Sequence, residues 1–110
     1  MSIQHKELAS GRWETFSFAT QMAHIGGEVE RALNWRAKNN PDYSQKAFER
    51  ALGLIDLTLD VAKGLPRLTE LARTRETLVD YFFGTNQYGS DEKHLRSYVL
   101  NFATAVRLET

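Results

Sequence analysis

The chain has 110 residues and a formal net charge of zero, with 14 lysines and arginines against 14 aspartates and glutamates. This length suits one compact domain, so we predict a single helical domain over residues 1–110 with an N-terminal extension at 1–10. The balanced charge argues against wholesale binding to nucleic acid or anionic membrane. The absence of cysteine excludes disulfides and cysteine-based zinc sites.

The first predicted helix is long and runs from about Arg12 to Lys38, after a cap at Ser10. Apolar residues recur in it at spacings of three and four, the period of one helix face: Phe18, Met22, Ile25, Val29 and Leu33. Gly26 and Gly27 interrupt the helix and cost about 1 kcal/mol each relative to alanine. Either the helix kinks there or another helix packs closely against it, and we favour close packing.

The second predicted helix covers about residues 43–63. Its apolar stripe comprises Ala47, Phe48, Ala51, Leu52, Ile55, Leu59 and Ala62. Gly64 is suited to a left-handed C-terminal cap, and Pro66 to the first turn of the following helix.

The third predicted helix covers about residues 67–83 and is closed by Gly84. Its stripe comprises Leu68, Leu71, Leu78 and Phe82. Ser90 is the predicted cap of a fourth helix, where Asp91 and Glu92 suit the positive end of the helix dipole. The stripe of this last helix comprises Leu95, Tyr98, Val99, Phe102 and Val106.

These four segments define the predicted fold. None of them alternates with the two-residue period of a β-strand, and the connections are only about two to seven residues long. Short connections favour antiparallel neighbours. We therefore predict an all-α, up-down-up-down four-helix bundle with a long first helix.

The back of the first helix is the first candidate surface for function. Six residues on it project away from the apolar stripe: Trp13, Thr20, His24, Gly27, Arg31 and Trp35. Tryptophan and arginine are enriched at the centres of protein interfaces, so this face predicts a homo-oligomer, most simply a dimer. Alternatively, each tryptophan covers a helix end or a loop, because isolated exposed apolar residues are common.

Arg75 lies between Leu71 and Leu78 in the seam of the third helix, where a bundle normally places an apolar residue. A buried guanidinium requires an acidic partner or an anionic ligand. Glu30 falls at the same level in the predicted bundle. We therefore predict a buried Glu30–Arg75 ion pair, with a phosphate or carboxylate ligand as the alternative.

One end of the predicted bundle is the second candidate surface, because the first and third loops meet there. Aromatic and basic residues accumulate at this end: Trp35, Arg36, Lys38, Tyr43, Lys46, Phe83 and Tyr88. Single-stranded nucleic acids and phosphorylated ligands are bound by such combinations. The same composition also covers a hydrophobic core and solvates a loop.

Signatures of catalysis and metal binding are weak. His24 and Glu28 share a helix face and form a usable ligand pair, but we favour a surface helix pair without a metal. No phosphate loop, nucleophile elbow or zinc-protease motif is present in the sequence. We therefore predict no catalytic residues, no metal site and no cofactor, although triads assembled only in space escape this test.

Four sequence strings carry a resemblance to a known family: residues 26–35, 49–58, 73–76 and 81–84, reading GGEVERALNW, ERALGLIDLT, RTRE and YFFG. With them the chain resembles a family of small prokaryotic helical proteins without an assigned activity. Its architecture is also similar to the four-helix proteins encoded in ribosomal RNA intervening sequences, which form oligomeric bundles. Helical RNA-cleaving toxins are a further similarity, but they use an arginine followed four to six residues later by a histidine, and no arginine here has that spacing.

These observations favour a non-enzymatic interaction module that self-associates through the first helix and binds an unknown protein partner at the aromatic, basic end. The alternative is an RNA- or nucleotide-binding protein, such as a toxin–antitoxin component, that uses the same end. A metal-dependent enzyme using His24 is a third hypothesis. Met1–Leu8 lacks the apolar run of a secretory signal, and no stretch approaches the ~20 apolar residues of a membrane span. We expect a cytoplasmic location and no membrane partner.

Overall fold

The computed structural model describes residues 12–61 and 67–109 and shows an all-α bundle of four helices. The helices are α1 (Phe18–Ala37), α2 (Pro41–Val61), α3 (Arg67–Phe82) and α4 (Glu92–Glu109), preceded by a short 3-10 helix at Trp13–Thr15. The described ranges contain no β-strand, so the predicted all-α class is confirmed. Within them, no helix combines the length and the apolarity needed to cross a bilayer.

Helix α1 is the central element, because it packs against both α2 and α4, while α3 packs against α2. Contacts between α1 and α2 run in opposite order along the two helices. The Ser44 hydroxyl donates to the Ala32 carbonyl at 2.7 Å, and Arg50 pairs with Glu28 one turn earlier on α1. These two helices are therefore antiparallel. The complete up-down-up-down order stays a prediction.

The core fills the space between the helices with apolar side chains from all four. Its buried members are Trp13, Met22, Ile25, Val29, Ala32, Leu33, Ala47, Phe48, Ala51, Leu54, Ile55, Leu71, Leu78, Leu95 and Val99. On α1 this set contains the predicted stripe except Phe18, which is partly buried, and adds Ala32. Buried polar side chains are hydrogen-bonded, as with Thr58, whose hydroxyl donates to the Leu54 carbonyl at 2.9 Å. These hydrogen bonds offset the cost of removing the polar side chains from water.

Helix α1 begins at Phe18 and not at the predicted Arg12. Ser17 has extended backbone angles, and its hydroxyl accepts the backbone N–H of Thr20 at 3.1 Å, which is the geometry of an N-cap. The chain before it turns through the 3-10 helix instead of continuing the rod. The residues from Arg12 to Phe16 therefore form a strap across the bundle.

Helix α2 begins two residues before the predicted start, and α4 has a different cap from the predicted one. Pro41 occupies the first turn of α2, where it loses no hydrogen bond, and Asn40 accepts the backbone N–H of Tyr43 at 3.2 Å. Asp91, and not Ser90, accepts the backbone N–H of His94 at the start of α4. This bond lowers the pKa of Asp91 below its ordinary value, so the cap's contribution to stability is lost only as the pH falls through that lowered pKa.

Several predictions lie outside the described residues. These are the extension at 1–10, the cap at Ser10, the end of the second helix at 62–63, Gly64 and Pro66. The side chains of Phe102 and Val106 on α4 also lie outside them.

Candidate functional site at the loop end of the bundle

The loop end of the bundle lies where residues 38–40 connect α1 to α2 and residues 83–91 connect α3 to α4. Arg36, near the end of α1, contacts Tyr81, near the end of α3, so the two connections occupy the same end. The aromatic and basic residues predicted here form two groups, one around Trp35 and one around Arg36 and Phe83. Tyr88 lies in the second connection. Trp35 belongs to one cluster and its neighbour Arg36 to the other.

The Trp35 cluster consists of Trp35, Lys38, Tyr43 and Lys46. The Trp35 and Tyr43 rings meet edge to face with centroids 4.9 Å apart. Lys38 Nζ lies 5.3 Å from the Trp35 centroid, and Lys46 Nζ lies 5.7 Å from that of Tyr43. These distances are within the range of cation–π attraction. Two ammonium groups are therefore held beside two partly exposed rings.

The turn between α1 and α2 places this cluster. Asn39 adopts a left-handed conformation with φ of 59°, which asparagine tolerates better than most residues. The backbone N–H of Asn40 then donates to the Trp35 carbonyl at 2.9 Å. Together with the Asn40 cap on α2, these bonds bring Lys38 and Tyr43 beside Trp35.

Arg36 is fixed against the C-terminal turn of α3. Its guanidinium carbon lies 4.4 Å from the Tyr81 centroid and 5.6 Å from the Phe82 centroid. Its Nη1 donates to the Tyr81 carbonyl at 3.3 Å. The carbonyl groups at a helix C-terminus carry partial negative charge, so this cation also complements the dipole of α3.

The Arg36 groove lies between the first turns of α2 and the end of α3, with a volume of about 300 Å³. Its lining residues are Arg36, Pro41, Ser44, Gln45, Phe82 and Phe83. The fully buried Phe48 supports one wall, because it stacks on Phe82 at 4.3 Å and meets Phe83 edge to face at 4.9 Å. Phe83 is half exposed and is held in position from below.

Asp80 organises the second connection. Its carboxylate accepts the backbone N–H groups of Gln87 at 2.8 Å and Tyr88 at 3.1 Å, and its carbonyl accepts that of Asn86 at 3.1 Å. Gly84 approaches so closely that a Cβ there would lie 2.9 Å from the Asp80 carbonyl oxygen. Tyr88 is thereby held at the loop end with most of its side chain in solvent.

The loop end carries charged side chains of both signs. Arg36, Lys38 and Lys46 are all exposed. Three carboxylates lie among them: Asp42, Asp80, which accepts bonds from the loop backbone, and Glu49, which accepts a hydrogen bond from Gln45. The end therefore places three exposed cations beside exposed rings, with three carboxylates nearby that balance their charge.

The outer face of α1 differs from the prediction at Trp13, which is 1% exposed. Its indole N–H donates to Thr58 Oγ1 at 3.0 Å, and its carbonyl accepts a bond from Gln21. The prediction of Trp13 in an oligomer interface is wrong. Helix α1 begins only after its cap at Ser17, and the strap before it turns the indole into the core. Of the other residues predicted on this face, Thr20, His24 and Arg31 are exposed and Trp35 is partly buried.

The two glycines of α1 have different surroundings. A Cβ on Gly26 would meet Val99 Cγ1 of α4 at 3.6 Å, an ordinary contact distance. A Cβ on Gly27 would find no atom within 4 Å. A groove of about 280 Å³ runs beside them between α1 and α4, bordered by Ala23 and by Leu100, which is 63% exposed.

The predicted Glu30–Arg75 ion pair is wrong. Arg75 Nε donates to Asp56 Oδ1 of α2 at 2.8 Å, and its side chain is 37% exposed. Thr74 occupies the buried seam position instead. Residues three and four positions after Leu71 both lie near its face of the helix, and the structure buries the first of them. Glu30 pairs with Arg96 of α4.

His24 and Glu28, weighed above as a possible ligand pair, are engaged elsewhere. The buried Glu28 carboxylate accepts hydrogen bonds from Arg31 at 2.8 Å and Arg50 at 3.1 Å. The His24 ring stacks on Phe16 with centroids 5.6 Å apart. Within the described residues, no three acidic, histidine or cysteine side chains are grouped as metal ligands would be.

Comparisons with protein-family models, curated proteins and solved structures gave no match to this chain. The resemblance to a prokaryotic helical family therefore stays a prediction.

Sequence reasoning missed two contributors to the loop end, Asp80 and Phe82, and the contact that Tyr81 makes with Arg36. The Asp80 signal was available, because an aspartate followed by Gly84 and a polar loop is typical of a side chain that caps backbone N–H groups. The contact of Tyr81 with Arg36 joins residues 45 positions apart, and no local pattern predicts it.

Proposed function

We propose that this chain is a non-enzymatic assembly module that forms a homodimer through the outer face of α1. The observation that carries the proposal is Gly27. A glycine within a helix costs about 1 kcal/mol relative to alanine, and no packing inside the described chain requires it. The glycine is explained if a helix of a second chain approaches α1 so closely at this point that a side chain would obstruct it.

The surface centred on Gly27, here called the Gly27 face, supports a second copy of the chain as the occupant. At 100° per residue its members are Thr20, Ala23, His24, Gly27, Glu30, Arg31 and Asn34. Glu30 lies on one flank of this face and Arg31 on the other. When two copies dock with parallel α1 helices, Arg31, which bonds Glu28 in its own chain, also faces the partner's Glu30, which bonds Arg96, and the pairing occurs twice.

Apolar contact adds to this charge complementarity. Ala23 and Gly27 allow close approach of two helices, and Leu100 on the adjacent α4 offers an exposed aliphatic side chain. The proposal retains Thr20, His24, Gly27 and Arg31 from the predicted interface and does not use Trp13.

The test is the mass of the particle in solution, measured by size-exclusion chromatography with light scattering. We expect the unmodified chain at high micromolar concentration to have twice the monomer mass. Gly27→Gln is expected to give a monomer of equal or higher thermal stability, because the added side chain has open space in the monomer and improves helix propensity.

Thr69→Gln on the exposed side of α3 is the matched control, and we expect it to leave the mass unchanged. A monomeric unmodified chain at that concentration would contradict the proposal. So would a Gly27→Gln variant that remains dimeric. Loss of the dimer cannot be attributed to unfolding when the melting temperature is retained.

A further inference from the structure

The Arg36 groove combines features that a planar, anionic ligand requires. Phe83 exposes half of its side chain, and its contact with the buried Phe48 holds the ring in position. A base that stacks on this ring therefore meets a platform that is already ordered. The groove volume of about 300 Å³ is at the lower end of ligand pockets, which suits one planar group.

The Arg36 guanidinium supplies a fixed cation at the edge of the same groove. Stacking on Tyr81 and the bond from Nη1 to the Tyr81 carbonyl orient the group. A guanidinium carries five N–H donors, so this bond leaves donors for a phosphate. Cation and aromatic platform thus line the same groove, as the phosphate and the base of one nucleotide require.

The Trp35 cluster extends this pattern across the first turn of α2. Lys38 and Lys46 each stand beside a ring, and Tyr43 is half exposed. An acidic peptide would use the cations but would gain little from the open rings. A single-stranded nucleic acid uses both, because its phosphates bind cations and its bases stack on aromatic side chains.

We infer that the loop end binds single-stranded RNA, with one base on Phe83 and the adjoining phosphate at Arg36. The Trp35 cluster receives neighbouring nucleotides along the strand. This surface is separate from the Gly27 face, so RNA binding does not depend on the proposed dimer. A free nucleotide shares the chemistry of base and phosphate and occupies the Arg36 groove alone.

The direct test is fluorescence anisotropy with a labelled single-stranded RNA of mixed sequence, about twelve nucleotides long. We expect affinity to fall with salt, with a log–log slope of about −2 for three phosphate contacts. Phe83→Ser is expected to weaken binding about tenfold through the lost stacking. Lys38→Glu is expected to weaken binding and to reduce the salt slope.

Arg73→Glu is the charge-matched control, because Arg73 is exposed on α3 away from the loop end. We expect it to bind RNA like the unmodified chain. Melting temperatures of all variants show whether the fold is retained. The monomeric Gly27→Gln variant is expected to bind RNA normally, so failure of the dimer and failure of RNA binding are distinguishable.

Three competitors decide which ligand chemistry the surface takes. Adenosine monophosphate that displaces the RNA supports a nucleotide in the Arg36 groove, whereas binding of the oligonucleotide alone supports an extended strand. An abasic oligomer of equal length is expected to bind about tenfold more weakly. The inference is overturned by equal binding of the abasic oligomer, by polyglutamate competing as well as RNA, or by no binding at low salt.

Discussion

Replacing Trp13 with alanine is expected to lower the free energy of unfolding by about 3–5 kcal/mol, the usual cost of deleting a buried tryptophan. Trp13 is 1% exposed, packs against Phe16, and joins the strap to α2 through its bond to Thr58. The alanine variant loses this packing and leaves the Thr58 hydroxyl without the indole donor. Urea denaturation followed by circular dichroism measures the loss.

Trp35→Ala is the matched control, because the same side chain is deleted from a partly buried position. Its expected loss of unfolding free energy is well below that of Trp13→Ala. Thr58→Val isolates the hydrogen bond while retaining the volume, and we expect it to cost about 1–3 kcal/mol. Equal losses for the two tryptophan variants would contradict burial of Trp13.

Phe48→Ala, as a separate single variant, is also expected to lower the free energy of unfolding by about 3–5 kcal/mol. Phe48 is fully buried and contacts both Phe82 and Phe83. Its loss therefore opens a cavity beneath the Arg36 groove and removes the support of the Phe83 ring. RNA binding, measured where the variant is still folded, is expected to weaken as well.

Tyr88→Ala provides the contrast for Phe48→Ala, since Tyr88 is 64% exposed. Its effect on the free energy of unfolding is expected to stay within about 0.5 kcal/mol. A Phe48→Ala variant as stable as Tyr88→Ala would show that the aromatic wall does not hold the loop end together.

The helical architecture could be predicted from sequence because it follows from local periodicity. On α1, the spacing of Met22, Ile25, Val29 and Leu33 identifies the buried face, and all four are buried. The start of this helix was misplaced because the periodic pattern was extended past Ser17. A serine with Thr20 three residues later offers its own capping site, which competes with helix continuation.

The contacts between elements could not be predicted with the same success. A helical wheel places Arg75 close to Leu71 and Leu78, but a long arginine side chain reaches out of a seam toward water. Its partner Asp56 depends on how α2 is rotated, which local periodicity does not specify. Trp13 and Thr58 are likewise 45 residues apart, so their bond depends on tertiary packing.

The loop end shows an intermediate case. Its residues were predicted from the meeting of two loops, and Trp35, Tyr43 and the nearby lysines lie in contact there. The division into two clusters was not foreseen, because it depends on Arg36 reaching α3. Composition therefore indicated the residue types, whereas the side-chain partners required the packed structure.

Asp80 fixes the conformation of the second connection at the loop end. One side chain and its own carbonyl hold the backbone at Gln87, Tyr88 and Asn86, so the loop is already ordered before a ligand arrives. Little conformational entropy is then lost on binding, which favours a rigid fit to a narrow range of shapes. A single exchange at Asp80 would release the loop and trade this selectivity for adaptability.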